Sequence, residues 1–216
     1  MKIKPSKQFL TIISLTIAIL VLVPGLGYAL PLTIEVTPSS SVVTLGHQIT
    51  VGLRISGLGS GSAPSLSEFD LDLGFDLSKL SFVSANYGDP VLGDQLDLAG
   101  FGASQLTTPN LSSVNLFELS FDSVSDLDNL QADQFIMVSV TFDTLALGGG
   151  NFTLALNSLA DASGGSLTGS TTLTNGSFTI TAVPAPPTLT LVVAGIMGLM
   201  TSHRKFCSQQ TRLSER

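Results

Sequence analysis

Two carboxylates, Asp70 and Asp72, stand two positions apart in an alternating run of residues, and such a pair could perform acid–base chemistry. In an extended strand, residues i and i+2 point to the same side, about 6.6 Å apart. Glycosidases place two carboxyl groups at comparable separations, so one interpretation is a secreted glycoside-active enzyme that uses this pair. A general acid must be kept protonated by burial, whereas both side chains alternate outward with Asp76 nearby. We therefore favour a noncatalytic, hydrated or calcium-attracting face and assign no catalytic residue.

Histidine and cysteine are too scarce for other common site chemistries. The single cysteine, Cys207, lies near the C-terminus, and of the two histidines His203 lies there as well. His47 is thus alone in the central part of the chain. Zinc sites need several such ligands, and nucleophilic triads need a histidine held by a neighbouring acid. His47 is interpreted as a solvated turn residue, and neither a metal site nor a cofactor is assigned.

The central part of the chain is strongly acidic. Between residues 30 and 181 there are fifteen acidic residues and two basic ones, Arg54 and Lys79, for a formal charge of −13. Such a field repels nucleic acid, which is excluded as a partner. Asp126, Asp128 and Asp133 form an acidic loop without the glycine and final glutamate of an EF-hand, so calcium is possible but unassigned.

Residues 1–29 have the order of a secretory signal peptide. Lys2, Lys4 and Lys7 precede an apolar run over 9–23, and small residues lead up to Ala29. We expect cleavage after Ala29. The alternative is an uncleaved anchor, but about fifteen apolar residues are few for a hydrocarbon core that needs about twenty.

A proline-rich spacer, residues 182–187, follows the central domain. Val183, Pro184, Ala185 and Pro186 are the expected processing positions. Proline has no N–H to donate to a sheet or helix, so the spacer should be extended and open to a protease.

An apolar segment ends in a basic cluster beyond this spacer. Residues 188–205 are expected to form a transmembrane helix, with Arg204 and Lys205 as the membrane stop and 206–216 as a cytoplasmic tail. The acidic domain would then lie outside the cell. A plain C-terminal anchor is the alternative, but it has no use for the prolines.

The end of the chain resembles a PEP-CTERM sorting signal. The resemblance rests on Pro184-Ala185-Pro186, an apolar helix with Gly195 and Gly198, and Arg204-Lys205. It implies recognition by an exosortase, a membrane-embedded protease of Gram-negative bacteria. The protein would then be anchored in the membrane before processing and delivered afterwards to the cell surface or the extracellular matrix.

Between residues 30 and 181, apolar and polar residues alternate with period two in short runs separated by turn residues. Nine strands are predicted, at 32–37, 49–56, 69–75, 80–82, 91–98, 114–121, 136–142, 152–156 and 178–180. So many short strands favour an all-β, jelly-roll-like sandwich. Residues 57–67 and 148–150 are interpreted as connections, and 125–131 as a loop or a short helix capped by Ser125 and Asp126.

Parts of this domain resemble cohesins. The block 69–82 has their alternating strand, Asp-led turn and leucine entering the next strand, and 43–51 and 135–142 fit other strands. Asp76 is expected to fold its carboxylate onto following N–H groups. The resemblance implies a noncatalytic module that binds a dockerin-like or other surface protein, or an extracellular polysaccharide. The leading prediction is thus an exported, noncatalytic binding protein of the cell surface or matrix.

Overall fold

The computed structural model describes residues 31–184 and 196–197. The first range contains eleven strands, one short α-helix and one 3₁₀ turn at Thr168–Ser170. The strands are β1 (Leu32–Pro38), β2 (Val42–Thr44), β3 (Gln48–Ser56), β4 (Leu66–Gly74), β5 (Leu80–Tyr87), β6 (Ala103–Pro109), β7 (Ser113–Ser120), β8 (Gln134–Thr144), β9 (Gly148–Asp161), β10 (Thr171–Thr174) and β11 (Gly176–Thr181), and the helix is α1 (Val124–Leu130). Neither described range contains a helix long and apolar enough to cross a membrane.

The strands form two packed sheets, which confirms the predicted all-β sandwich. One sheet has five strands in the order β10-β1-β3-β8-β5, and the other has six in the order β2-β11-β9-β4-β7-β6. Neighbours are antiparallel except for the pairs β1/β10 and β2/β11. The last two strands of the chain therefore lie in different sheets.

Period-two alternation builds the core between the sheets. On β4, Phe69, Leu71 and Leu73 are fully buried, whereas the residues between them keep some exposure. Rings from four segments pack in a row, with centroids 4.8 Å apart for Phe75 and Phe142, 5.4 Å for Phe142 and Phe152, and 4.9 Å for Phe152 and Phe178. Burying each ring stabilises the fold by about 1.5–3 kcal/mol.

The two ends of the sandwich differ in their connections. At the end we call the loop end lie residues 88–102, helix α1 and the turn after Asp161. At the opposite end, the turn end, lie the 75–79 turn, the turn between β2 and β3, and the last residue of β11, Thr181. The chain enters β1 at the loop end and leaves β11 at the turn end.

The predicted strand at 91–98 is wrong, because this segment is a loop held by aspartates. Oδ1 of Asp89 accepts hydrogen bonds from the N–H groups of Val91 and Leu92, at 2.8 and 3.0 Å. Oδ1 of Asp94 accepts from the N–H of Leu96 at 2.9 Å. These local bonds outcompete strand pairing.

The prediction of a connection at 148–150 is also wrong, since β9 begins at Gly148. Gly150 pairs with Phe178, and a Cβ at Gly150 would lie 2.6 Å from Cζ of that ring. The missing side chain makes room for the ring, so Gly150 serves packing rather than a turn.

The structure also contains three strands that the sequence pattern does not predict, and a different helix cap. No separate strand was predicted for β2, β6 or β10, which are short or highly exposed edge strands. Helix α1 begins one residue before the predicted 125–131 segment, and its N-cap is Ser123 rather than Ser125 or Asp126. The Ser123 hydroxyl accepts from the N–H of Asp126 at 3.2 Å.

Candidate functional site

Three carboxylates form a row on the outer face of the six-stranded sheet. Because Phe69, Leu71 and Leu73 point into the core, Glu68, Asp70 and Asp72 on the same strand point away from it. We call these three residues the acidic row. The predicted shared face of Asp70 and Asp72 is thereby confirmed.

Side-chain amides hold Asp70 and Asp72 of the acidic row in place, and the Ser158 hydroxyl donates to Oε1 of Glu68 at 2.8 Å. Nδ2 of Asn157 donates to Oδ1 of Asp70 at 3.0 Å and to Oδ2 of Asp72 at 2.9 Å. Nδ2 of Asn115 donates to Oδ1 of Asp70 at 2.6 Å. Asp70 pairs with Ser158 and Leu71 with Leu156, so Asn157 is the extra residue of a β-bulge. The bulge aims its amide between the two carboxylates.

An apolar stripe runs beside the acidic row. Phe117 and Leu119 on β7 alternate with buried residues and therefore face outward, and Phe117 is the direct partner of Asp70. On the next strand, Leu106 pairs with Phe117 and is 57% exposed. We call Leu106, Phe117 and Leu119 the apolar stripe. This face thus offers carboxylates and apolar side chains side by side.

The two basic residues of the range 31–184 lie near carboxylates elsewhere. NH1 of Arg54 is 3.6 Å from Glu35 on the other sheet, and Nζ of Lys79 is 3.9 Å from Asp76 at the turn end. Within the described residues no cation pairs with the acidic row. Its negative charge is therefore available to an external partner.

The turn led by Asp76 forms as predicted. Oδ1 of Asp76 accepts from the N–H of Ser78 at 2.9 Å and from its hydroxyl at 2.7 Å. The Ser78 hydroxyl, followed by its N–H, lowers the pKa of Asp76. Leu80 then enters the core fully buried. The turn is structural and lies away from the acidic row.

The geometry does not separate Asp70 and Asp72 into an acid and a base. Both accept from the same amide, and both lie partly exposed on the surface of one strand. Glycoside hydrolysis needs two carboxyl groups in contrasting surroundings, one of them kept protonated by burial. The pair is better suited to binding than to catalysis.

The other candidate residues from the sequence are dispersed. His47 is exposed in the turn between β2 and β3, and its carbonyl accepts from the Thr144 hydroxyl at 2.8 Å. Asp128 accepts from the Ser65 hydroxyl at 2.6 Å, and Asp126 belongs to the first turn of α1. Across the described ranges, no three His, Cys, Asp or Glu side chains are placed to hold a metal ion.

A depression of about 410 Å³ lies at the loop end, beside the five-stranded sheet. It is lined by Pro31, Ser56, Gly57, Leu58, Asp133 and Gln134. Asp133 thus borders a shallow surface hollow on the sheet opposite the acidic row.

The processing positions fall partly within the structure. Val183 and Pro184 follow β11 and are exposed, Val183 by 64%. The other expected targeting features lie outside the described residues. They are the signal peptide (1–29) with Ala29, the positions Ala185 and Pro186, most of the expected transmembrane helix (188–205) with Arg204 and Lys205, and the tail (206–216).

The residues around the acidic row are harder to recognise from the sequence. Asn115 and Phe117 could have been found by extending the alternation of Val114 and Leu116, which marks their positions as outward. Asn157 was hidden because the bulge breaks the alternation of β9 at that residue. Leu106 lies on a strand too polar to be recognised.

Neither a protein-family model nor a curated protein matches this sequence. The fold is similar to that of a non-cellulosomal cohesin from the hyperthermophilic archaeon Archaeoglobus fulgidus, with a TM-score of 0.52 and 16% identity over 70% of this chain and 92% of that one. A type II cohesin domain from the cellulosome of Acetivibrio cellulolyticus gives a TM-score of 0.53 and 13% identity over 69% and 95%. A type I cohesin–dockerin complex from Clostridium thermocellum gives 0.54 and 12% over 70% and 94%. The described domain therefore has a cohesin-like fold.

Proposed function

We propose that this chain is a noncatalytic binding module that engages a protein partner through the outer face of its six-stranded sheet. The observation that carries this proposal is the acidic row, fixed by neutral amide and hydroxyl donors and placed directly beside the apolar stripe. The partner would present basic side chains to the row and apolar side chains to the stripe. The glycoside-active alternative has no comparable support.

The acidic row has unused acceptor capacity. Within residues 31–184 no hydrogen bond reaches Oδ2 of Asp70 or Oδ1 of Asp72, although the other oxygen of each is held by an amide. Carboxylates fixed in this way lose little side-chain freedom on binding a lysine or arginine, and charge-assisted bonds are the strongest available to them. The row would therefore contribute both affinity and orientation.

The apolar stripe would supply the centre of the interface. Binding energy concentrates in a few aromatic or apolar side chains that become fully desolvated. Phe117 and Leu106 are direct cross-strand partners, and they lie next to the carboxylates instead of being scattered. We therefore place the contact around Phe117.

The nature of the partner is proposed from the structural neighbours. One of them is described as a cohesin–dockerin complex, so a dockerin-like or other surface protein is the partner we favour. An extracellular polysaccharide is the other candidate. It would depend on hydrogen bonds from the row and on stacking against Phe117.

We also propose that the module works outside the cell. The leader over 1–29 would direct export, and an exosortase would cut near 182–187 after membrane anchoring through 188–205. The exposure of Val183 and Pro184 directly after β11 supports access by a protease. The product would reach the cell surface or the matrix.

The binding proposal is tested with a charge reversal on each sheet. The full chain carrying Asp70→Lys is compared with wild type for binding to cell-surface proteins, to a purified dockerin and to matrix polysaccharide. We expect at least about a tenfold loss of affinity, because the introduced ammonium group would repel the basic side chain of the partner that the carboxylate attracts.

Glu35→Lys is the matched control, since Glu35 lies on the outer face of the five-stranded sheet. It should leave the affinity unchanged. An equal loss of affinity in the two variants, or no loss in either, would contradict the proposed surface. Loss of polysaccharide binding alone would assign the face to a glycan and contradict a protein partner.

The export proposal is tested by the intact mass of protein recovered from the cell surface. We expect a chain that starts after Ala29 and ends within 182–187. A recovered chain with Met1 and Arg216 both present would contradict cleavage at either end.

A further inference from the structure

Glu118 is an acidic residue in the core. It lies on β7 in the inward register of Val114 and Leu116, and all three side chains are fully buried. Its cross-strand partner on β4 is Phe69, whose ring stacks on that of Tyr87 with centroids 6.3 Å apart. A carboxyl group in such surroundings must find a compensating partner.

The two oxygens of Glu118 have very different surroundings. Oε1 accepts from Nε2 of Gln105 at 2.6 Å, and the same Nε2 donates to Oδ2 of Asp94 at 3.0 Å. Oε2 is buried and accepts no hydrogen bond from any described residue. Two carboxyl groups thus share one donor, and one buried oxygen is left without a partner.

The groups that face Glu118 are neutral or acidic on every side. Tyr87 approaches from β5, Gln105 from β6, and Asp94 and Asp97 from the loop at 88–102. Asp122, just after β7, accepts from the N–H groups of Leu98 and Ala99 in the same loop, at 2.6 and 3.1 Å. In residues 31–184 no lysine or arginine pairs with this group.

These surroundings favour the protonated form of Glu118. Burial raises the pKa of Glu118 to about 8, and Asp94 and Asp97 act in the same direction, although the hydrogen bond from Gln105 opposes them. A protonated Oε2 is a donor, and the nearby carboxylate of Asp94 is its natural acceptor.

We propose that Glu118 and Asp94 hold one proton between them and that this proton fastens the 88–102 loop to β7. Loss of the proton in alkaline solution places the negative charge of the buried Glu118 beside that of the partly exposed Asp94 and releases the loop. Because Glu118 lies between Phe117 and Leu119, and Gln105 precedes Leu106, the proton also supports the apolar stripe from behind. This last consequence rests on the proposed function, whereas the shared proton does not.

The shared proton makes stability depend on pH with a defined sign. The folded chain keeps a proton that the unfolded chain releases near the ordinary pKa of 4.5. Between that value and about 8 the native state binds more protons, so stability falls as pH rises. Above about 8 both states have released the proton and this contribution becomes constant.

The test is urea unfolding of the full chain in mild detergent, followed from about pH 5 to about pH 9. In wild type the equilibrium constant for unfolding should rise by about three orders of magnitude over this range. In Glu118→Gln it should be nearly constant, because the amide supplies a permanent donor to Asp94. Glu35→Gln on the other sheet should keep the wild-type slope.

Asp94→Asn is a second test variant in case Glu118→Gln folds poorly. Its amide can donate to an ionised Glu118, so it should also reduce the dependence of unfolding on pH. Retention of the wild-type slope in both variants overturns the proposal. Added calcium gives a further outcome. Stabilisation of wild type but not of Glu118→Gln at alkaline pH would mean that a cation, not a proton, joins the two groups, and would also overturn it.

Discussion

The outer faces of the two sheets are built from the same alternation but satisfy their polar groups differently. On the five-stranded sheet the groups pair with each other: the hydroxyls of Thr50 and Thr141 lie 3.3 Å apart, and Gln48 donates to Asp143 at 3.0 Å. On the six-stranded sheet, Asn157 donates to two carboxylates whose other oxygens stay open. Oδ2 of Asp143 also stays open on the first face, but only the second face gathers three carboxylates, Glu68, Asp70 and Asp72, beside an apolar stripe and away from any described cation.

The difference shows that exposure and charge alone do not mark a binding surface. Glu35 is as negative as Asp70, but it lies within 3.6 Å of Arg54. Asp70 instead lies between two amides, which orient its carboxylate without neutralising it. A carboxylate held by neutral donors keeps its charge for external cations.

The largest effect on partner affinity is expected when the aromatic side chain of the apolar stripe is removed. Phe117→Ser should lower partner affinity by about thirtyfold, since truncating a central aromatic side chain at an interface costs about 2 kcal/mol. Calorimetric titration with the partner identified in the charge-reversal assay measures the affinity.

Ile136→Ser is the matched control on the other sheet. Ile136 also lies on an outer face, where its side chain covers the position of Gly52. It should leave affinity unchanged. An equal loss in the two variants would break the distinction between the faces.

A smaller effect is expected on stability. Asn157→Ala removes two hydrogen bonds to carboxylates and lets Asp70 and Asp72 repel each other, so the free energy of unfolding should fall by about 1 kcal/mol. Urea denaturation measures it. Thr141→Val, which removes one 3.3 Å contact between hydroxyls, should stay within about 0.5 kcal/mol. A larger loss in Thr141→Val would reverse the contrast in how the faces are held.

Local chemistry was predictable from the sequence. The Asp76 turn depends on bonds to Ser78, two residues away, and the outward position of Asp70 follows from its apolar neighbours in the sequence. Both features are decided within a few residues. They would form in much the same way in any two-sheet protein.

Features that depend on distant partners were not predictable. Gly150 belongs to a strand because the ring of Phe178, far along the chain, fills the space above it. The 91–98 segment alternates like a strand, but Asp89 and Asp94 turn it into a loop that covers Glu118. The inward register of Glu118 was visible next to Val114 and Leu116, although its proximity to Asp94 was not.

The path of the last two strands has a mechanical consequence. β10 runs beside β1 from the loop end, and β11 continues to the turn end between β9 and β2 in the other sheet. If the chain is tethered beyond Thr181, tension on the tether acts along these strands and loads their hydrogen bonds in shear, many at once, rather than opening them one by one. A force applied through such a tether would thus be resisted by the hydrogen bonds of both sheets at the same time.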